Sequence, residues 1–303
     1  MDAIDLINGL HNGDRRVLSR CITLVENNAS EAAPILEHLK IDEKCKLIGI
    51  TGPPGAGKST LVNALLDHYT HHHSGVKIAV LAVDPTSPFT HGSLLGDRLR
   101  MNEHFNNPDI FIRSLATRGA LGGLSAKTIE ITDLLKAAGF DYIFIETVGV
   151  GQSEVEIASL ADTTLVVFVP ESGDEIQTIK SGIMEIADIF VVNKSDREGA
   201  DRLVKNLVST LHDRPFTGWT VPVVKTTAST KTGIDELAHF INHHSTTTSG
   251  NIHKKELLFN KAVRLAQNHL LKKVDLQKFR TSFEQACQEP GFNIYRFISG
   301  WFS

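Results

Sequence analysis

Gly52-Pro53-Pro54-Gly55-Ala56-Gly57-Lys58-Ser59 fits the pattern G-x-x-x-x-G-K-[ST] at every fixed position. The apolar run Leu47-Ile48-Gly49-Ile50 precedes it, and an amphipathic stretch carrying Leu61, Val62, Ala64, Leu65 and Leu66 follows. A strand before and a helix after separate a phosphate loop from an ordinary glycine-rich turn. Its glycines let successive backbone N–H groups face inward, where a side chain would block an anion. The helix that begins there adds the positive end of its dipole. The residues expected around a triphosphate are Gly52, Pro53, Pro54, Gly55, Ala56, Gly57, Lys58, Ser59 and Thr60. Lys58 is the expected catalytic cation on the β- and γ-phosphates, and Ser59 the expected Mg²⁺ ligand.

Outward from this loop, short apolar runs alternate with amphipathic stretches. The runs lie at 46–51, 77–83, 110–115, 142–146, 164–169, 189–193 and 221–225, with helical stretches such as 58–69, 125–138, 200–212 and 233–242 between them. Alternation of β-branched strands with helices predicts an α/β fold, a mostly parallel sheet flanked by helices on both faces. Residues 1–42 carry apolar positions at helical spacing, interrupted at Asn12-Gly13-Asp14, and predict an N-terminal helical arm. Ser245-Thr246-Thr247-Thr248-Ser249-Gly250 reads as a polar spacer. The expected layout is a P-loop domain over 43–245 and a C-terminal helical extension over 246–303.

A phosphate loop alone leaves the base open. Asn193-Lys194-Ser195-Asp196 closes an apolar strand downstream of it. Asp196 can accept from both guanine N1–H and the N2 amine; adenine offers neither donor and would leave the carboxylate unpaired. Asn193 is expected to orient the loop, and the Lys194 stem to lie over the base. Thr227 and Ala228, after the last run, stand where a backbone N–H can meet guanine O6. These residues predict GTP and GDP as ligands.

Candidates around Mg²⁺ and the γ-phosphate follow from strand ends. Glu146 ends the run Tyr142-Ile143-Phe144-Ile145-Glu146 and is read as a metal and catalytic carboxylate. Gly149 is placed to sense the γ-phosphate and Gln152 to position water. Asp84 ends a strand inside Val83-Asp84-Pro85, where carboxylates point into the ligand crevice of such sheets. Asp97 is a further acid assigned to the metal.

Composition narrows the classes. With 31 Lys and Arg against 35 Asp and Glu, the formal net charge of −4 provides no footprint for nucleic acid or an anionic membrane. No apolar run approaches the roughly 20 residues of a membrane-spanning helix. Met1-Asp2-Ala3-Ile4-Asp5 lacks the basic start of a signal peptide, and the scattered Cys21, Cys45 and Cys287 read as free thiols, so a cytoplasmic location is expected. Among 14 histidines, His68, His71, His72 and His73 gather after the phosphate-loop helix, where a solvated, dipole-matched helix end accounts for them.

Taken together, Thr51–Ser59, Val83–Ser87, Leu95–Met101, Phe111–Ser114, Thr117–Leu124, Glu146–Glu154, Gly173–Glu175 and Asn193–Asp196 resemble the GTPases associated with methylmalonyl-CoA mutase, the MeaB and MMAA type long labelled ArgK or LAO/AO transport ATPases. The match covers roughly residues 46–240, and Glu rather than Asp at 146 agrees with it. The resemblance implies GTP hydrolysis in the service of an adenosylcobalamin-dependent acyl-CoA mutase, with a chaperone or gatekeeper role in cofactor loading and protection. It also implies a homodimer made partly by the C-terminal helices, and a third switch at Gly173–Lys180. Ala120 departs from the polar residue usual in that family. Two other readings compete: a nickel-type metallochaperone GTPase, and a kinase or transport ATPase. No cysteine beside a candidate metal site supports the first, and the Asn193–Asp196 motif argues against the second.

Overall fold

The computed structural model describes residues 3–84, 101–104, 106–116, 126–147, 153–173, 183–212, 218–247, 251–289 and 291–302. Its strands are β1 (Lys46–Thr51), β2 (Ile78–Asp84), β3 (Ile110–Ala116), β4 (Tyr142–Glu146), β5 (Thr163–Phe168), β6 (Ile189–Val192) and β7 (Val223–Lys225). They form one seven-stranded sheet in the order β3-β2-β4-β1-β5-β6-β7, with every pairing parallel. The expected α/β fold is the one observed.

Alternation along each strand sends side chains to two faces. On β4, Ile143 and Ile145 join one buried cluster while Tyr142 and Phe144 join the other. On β1, Leu47 faces the first cluster, and Ile48 and Ile50 the second. A glycine stands at position 49 because a Cβ there would collide with Ile157. Such two-sided burial explains why the strands read as continuous apolar runs.

The second face is covered by α4 (Lys58–His72) and α9 (Ile234–Thr247), through Leu61, Leu65 and Tyr69 and through Leu237 and Ile241. The first face is covered by α1 (Ala3–His11), α2 (Arg15–Glu26), α3 (Ala32–Glu37), α5 (Ala126–Ala137) and α6 (Ser153–Ala158). Leu10, Leu18, Ile22 and Ile35 of the N-terminal helices are fully buried in the same cluster as Leu81, Ile143 and Ile145 of the sheet. Asp14 starts α2, its Oδ1 accepting from Arg16 N at 2.8 Å and Val17 N at 3.2 Å. Polar ties reinforce the packing: the Arg113 guanidinium pairs with Glu26, and Arg15 donates to the carbonyls of Ile110 and Asn107. Beyond β5, α7 (Ile183–Ile186) and α8 (Ala200–His212) are placed, and Ala200, Leu203 and Leu207 pack on Phe168 and Phe190.

The residues read as a polar spacer start differently from expectation. Ser245, Thr246 and Thr247 continue α9, their hydroxyls donating to the carbonyls of Asn242 and His243. The chain divides into two compact units, Met1–Leu257 and Leu258–Ser303. The last helices are α10 (Asn251–Lys272), α11 (Leu276–Ala286) and α12 (Ile294–Trp301). In the second unit Phe279, Phe283, Phe292, Phe297 and Trp301 form a ring cluster with centroids 5.2 to 6.3 Å apart, yet α11 and α12 bury no residue.

Candidate functional site

The phosphate loop leaves the C-terminal end of β1, which lies between β4 and β5 where the chain switches direction across the sheet. Ligands of open parallel sheets bind at such a switch point. Two glycines there are obligatory. Gly52 has φ 137°, and a Cβ on it would strike the Val167 carbonyl. Gly57 has φ 84° at the start of α4, and a Cβ would lie 2.5 Å from Asn193 Nδ2. Both therefore hold the loop close to its neighbours in a conformation L residues rarely adopt.

Lys58 and Ser59 form the first turn of α4 and are almost fully buried, whereas Thr60 is exposed. The Lys58 ammonium donates to Gly52 O at 2.8 Å and Pro53 O at 3.1 Å, placing the cation within the curve of the loop. Ser59 Oγ donates to Glu146 Oε1 at 2.7 Å, in a buried contact. Register explains that meeting. Glu146, last residue of β4, pairs with Ile50, so its carboxylate emerges beside the strand that launches the loop. One position further, Thr147 N donates to Ile50 O at 3.0 Å and its hydroxyl to Thr51 Oγ1 at 3.0 Å. Ser59 with Glu146 is an all-oxygen pair, which suits a hard cation such as Mg²⁺. Asp84 occupies the last position of β2, paired with Ala116 of β3. Asp97, Gly149, Gln152 and Ala120, together with most of the expected third switch, lie outside the described residues.

The base-reading segment follows β6. Asn193 is 2% exposed, and its amide joins the two halves of the site. Nδ2 donates to Ala56 O of the phosphate loop at 2.9 Å, while Oδ1 accepts from Ala228 N at 3.1 Å and Thr226 Oγ1 at 3.2 Å. Lys194 takes φ 54° and its ammonium donates to Gly55 O at 2.9 Å, a second tie to the phosphate loop. The sequence placed this stem over a base; the bond to Gly55 also fixes its reach. Ser195 Oγ lies 3.1 Å from Thr227 Oγ1, and Thr227 Oγ1 donates to Asp196 Oδ1 at 3.4 Å. Asp196 itself is exposed. The sequence left two contributors out of the expected ligand set, Thr226 and Ser195. Their signal lay in being the hydroxyl residues of the two loops, whose strands β6 and β7 are neighbours.

A phosphate loop on the central strand, locked by one buried asparagine to a guanine-type loop two strands away, defines a P-loop GTPase. Over residues 18–278 the sequence matches the family model described as methylmalonyl Co-A mutase-associated GTPase MeaB, and the chain belongs to that family. A Pyrococcus horikoshii relative named as a GTPase is 50% identical over 250 residues, spanning 80% of this chain and 78% of that one. The Caenorhabditis elegans methylmalonic aciduria type A homolog, mitochondrial, is 40% identical over 206 residues, 63% of this chain and 51% of that one. Among solved structures, a LAO/AO transport system kinase superposes with a TM-score of 0.71 at 27% identity, covering 98% of this chain and 95% of that chain. Among the described residues no helix is long and apolar enough to cross a membrane.

Proposed function

We propose that this GTPase works with Mg²⁺ as a switch on an adenosylcobalamin-dependent acyl-CoA mutase of the methylmalonyl-CoA type, assisting cofactor loading and protecting the mutase. The observation that carries the nucleotide part is Asn193, which holds Ala56 O on one side and Ala228 N on the other. A site whose phosphate and base halves are fixed to each other binds a whole nucleotide in one geometry. The partner part rests on the family description and on the relative named for methylmalonic aciduria.

Phosphoryl transfer asks the protein mainly for positioning and charge neutralisation. Lys58 exchanges the neutral carbonyls of Gly52 and Pro53 for phosphate oxygens, so its ammonium meets opposite charge in place of a dipole. The backbone amides of Gly55–Ser59 and the start of α4 share that load. Ser59 and Glu146 would hold Mg²⁺, with Asp84 and Asp97 as outer acids. When bound there, the ion would supply positive charge to offset that of the phosphates. Gly149 would sense the γ-phosphate, and Gln152 would orient the attacking water.

Lys58→Ala and affinity capture test this together. The variant should retain its far-ultraviolet circular dichroism while hydrolysis falls by about 10²-fold or more. Undiminished hydrolysis would refute the site. The unaltered chain should retain adenosylcobalamin mutases on a column and hydrolyse GTP at a different rate beside them. Failure to retain any such mutase, with a rate indifferent to its addition, would sink the partner assignment and leave the GTPase standing.

A further inference from the structure

We propose that His68, His72 and Asp235 form a surface site for a first-row divalent transition ion of the imidazole-preferring kind, the class of Zn²⁺ and Ni²⁺. The two histidines stand one turn apart on α4, and residues at i and i+4 share a helix face. That same spacing serves zinc in helical H-x-x-x-H pairs. Their rings stack with centroids 4.3 Å apart. Asp235, in the first turn of α9, brings a carboxylate to the pair, with Oδ1 2.8 Å from His68 Nδ1. One ligand atom from each of the three residues lies within 4.8 Å of the other two.

The protonation pattern prepares at least one ring for ligation. His72 Nδ1 lies 2.8 Å from the His68 carbonyl oxygen. A carbonyl can only accept, so Nδ1 carries the hydrogen and Nε2 keeps its lone pair. Fixing one imidazole nitrogen through a backbone carbonyl is how ligating histidines are commonly oriented. The hydrogen bond between His68 and Asp235 holds those two side chains together, and an ion binding between them takes the place of the shared proton. Zinc bonds of about 2.0–2.1 Å put tetrahedral ligands about 3.3 Å apart. Asp235 is exposed and can close the remaining gap by rotating its side chain.

A solvated helix end accounts for His71 and His73, which are exposed and outside this cluster. It does not account for three ligands converging from two helices. The placement is also specific: α4 starts at the phosphate loop, and α9 follows the loop whose Ala228 N–H meets Asn193. An ion here would bridge the helices that begin beside the phosphate and base halves of the site. It would bind the folded chain and not the unfolded one, and so raise the thermal midpoint.

The test uses the full chain without a polyhistidine tag, saturated with Mg²⁺ and GDP, titrated calorimetrically with ZnCl₂ and separately with NiCl₂. One ion per chain should bind, and Zn²⁺ should raise the melting temperature where additional Mg²⁺ does not. His72→Ala and Asp235→Asn should each weaken binding by about tenfold or more and remove the thermal shift. The double variant His71→Ala/His73→Ala should bind like the unaltered chain. The proposal is overturned by a Kd weaker than about 1 mM for both metals. It is equally overturned if the His72 and Asp235 variants bind as the parent does, or if the His71/His73 variant loses as much.

Discussion

Asn193 shows what one side chain does for the whole site. It is buried, and its amide satisfies a carbonyl in one loop and an N–H in another. Truncating it to alanine leaves Ala56 O and Ala228 N without that partner, and each orphaned buried group costs about 1–3 kcal/mol. Asn193→Ala should therefore lower unfolding stability by about 2–6 kcal/mol in urea titrations and weaken GTP and GDP together. A variant as stable as its parent with unchanged nucleotide affinity would show that the two loops need no such tie. Asp196 plays the opposite part. It is exposed and bonded loosely to Thr227, and we propose that it serves the ligand. Asp196→Asn turns an acceptor pair into an acceptor and a donor, which suits the carbonyl of xanthine in place of the guanine N2 amine. Competition binding should show preference moving from GTP towards xanthosine triphosphate by about 10²-fold. Persistent preference for GTP would overturn the base assignment. Asn193 and Asp196 were legible in the sequence as site candidates because both belong to a motif of fixed spacing. The bond from Lys194 to Gly55 was not, because it joins residues 139 positions apart.

At the scale of elements, apolar runs located the strands closely, and the discrepancies have local causes. The run expected from Val221 pairs only from Val223, because Pro222 has no N–H to give and serves as an acceptor for Phe190 N at 2.9 Å. The run expected to reach Asn193 stops at Val192, where the chain turns through the left-handed backbone of Lys194. The N-terminal helices could be found by their period, but nothing in a period says what a helix packs against. Their buried face against the sheet is tested by thiol chemistry. Cys21 on α2 and Cys45 just before β1 sit in the same buried cluster. Burial pushes the Cys45 thiol up to about 12 and raises Cys21 as well, so neither forms thiolate near neutral pH. Cys287 is exposed. Iodoacetamide at pH 8 should label Cys287 alone in the native chain and all three cysteines in 6 M guanidinium, about the strength that unfolds most domains. Rapid labelling of Cys21 without denaturant would mean that α2 does not cover the sheet as described.

At the scale of the molecule, the two compact units differ in how they treat apolar surface. In Met1–Leu257 the apolar side chains close around a sheet. In Leu258–Ser303, Phe259 is 63% exposed, Leu270 63% and Tyr295 81%. Phe259, Val263 and Leu270 recur on one face of α10 at the helical period. Apolar surface removed from water contributes about 25 cal/mol per Å², so a face of this kind favours a partner surface of the same kind. A second copy of the chain supplies one, and two-fold pairing places the same patch on both sides. The homodimer expected from the family resemblance is thus our proposal for this unit. Light scattering coupled to size exclusion should give twice the 33.2 kDa chain mass. Phe259→Glu combined with Leu270→Glu should halve that mass, since each buried carboxylate would face its own copy across the axis. Because the phosphate and base loops belong to Met1–Leu257, hydrolysis per chain should stay within about twofold of the parent, the range of ordinary surface substitutions. A wild-type chain that elutes as a monomer at tens of micromolar, or a double variant that still pairs, would assign this face to something other than a second copy.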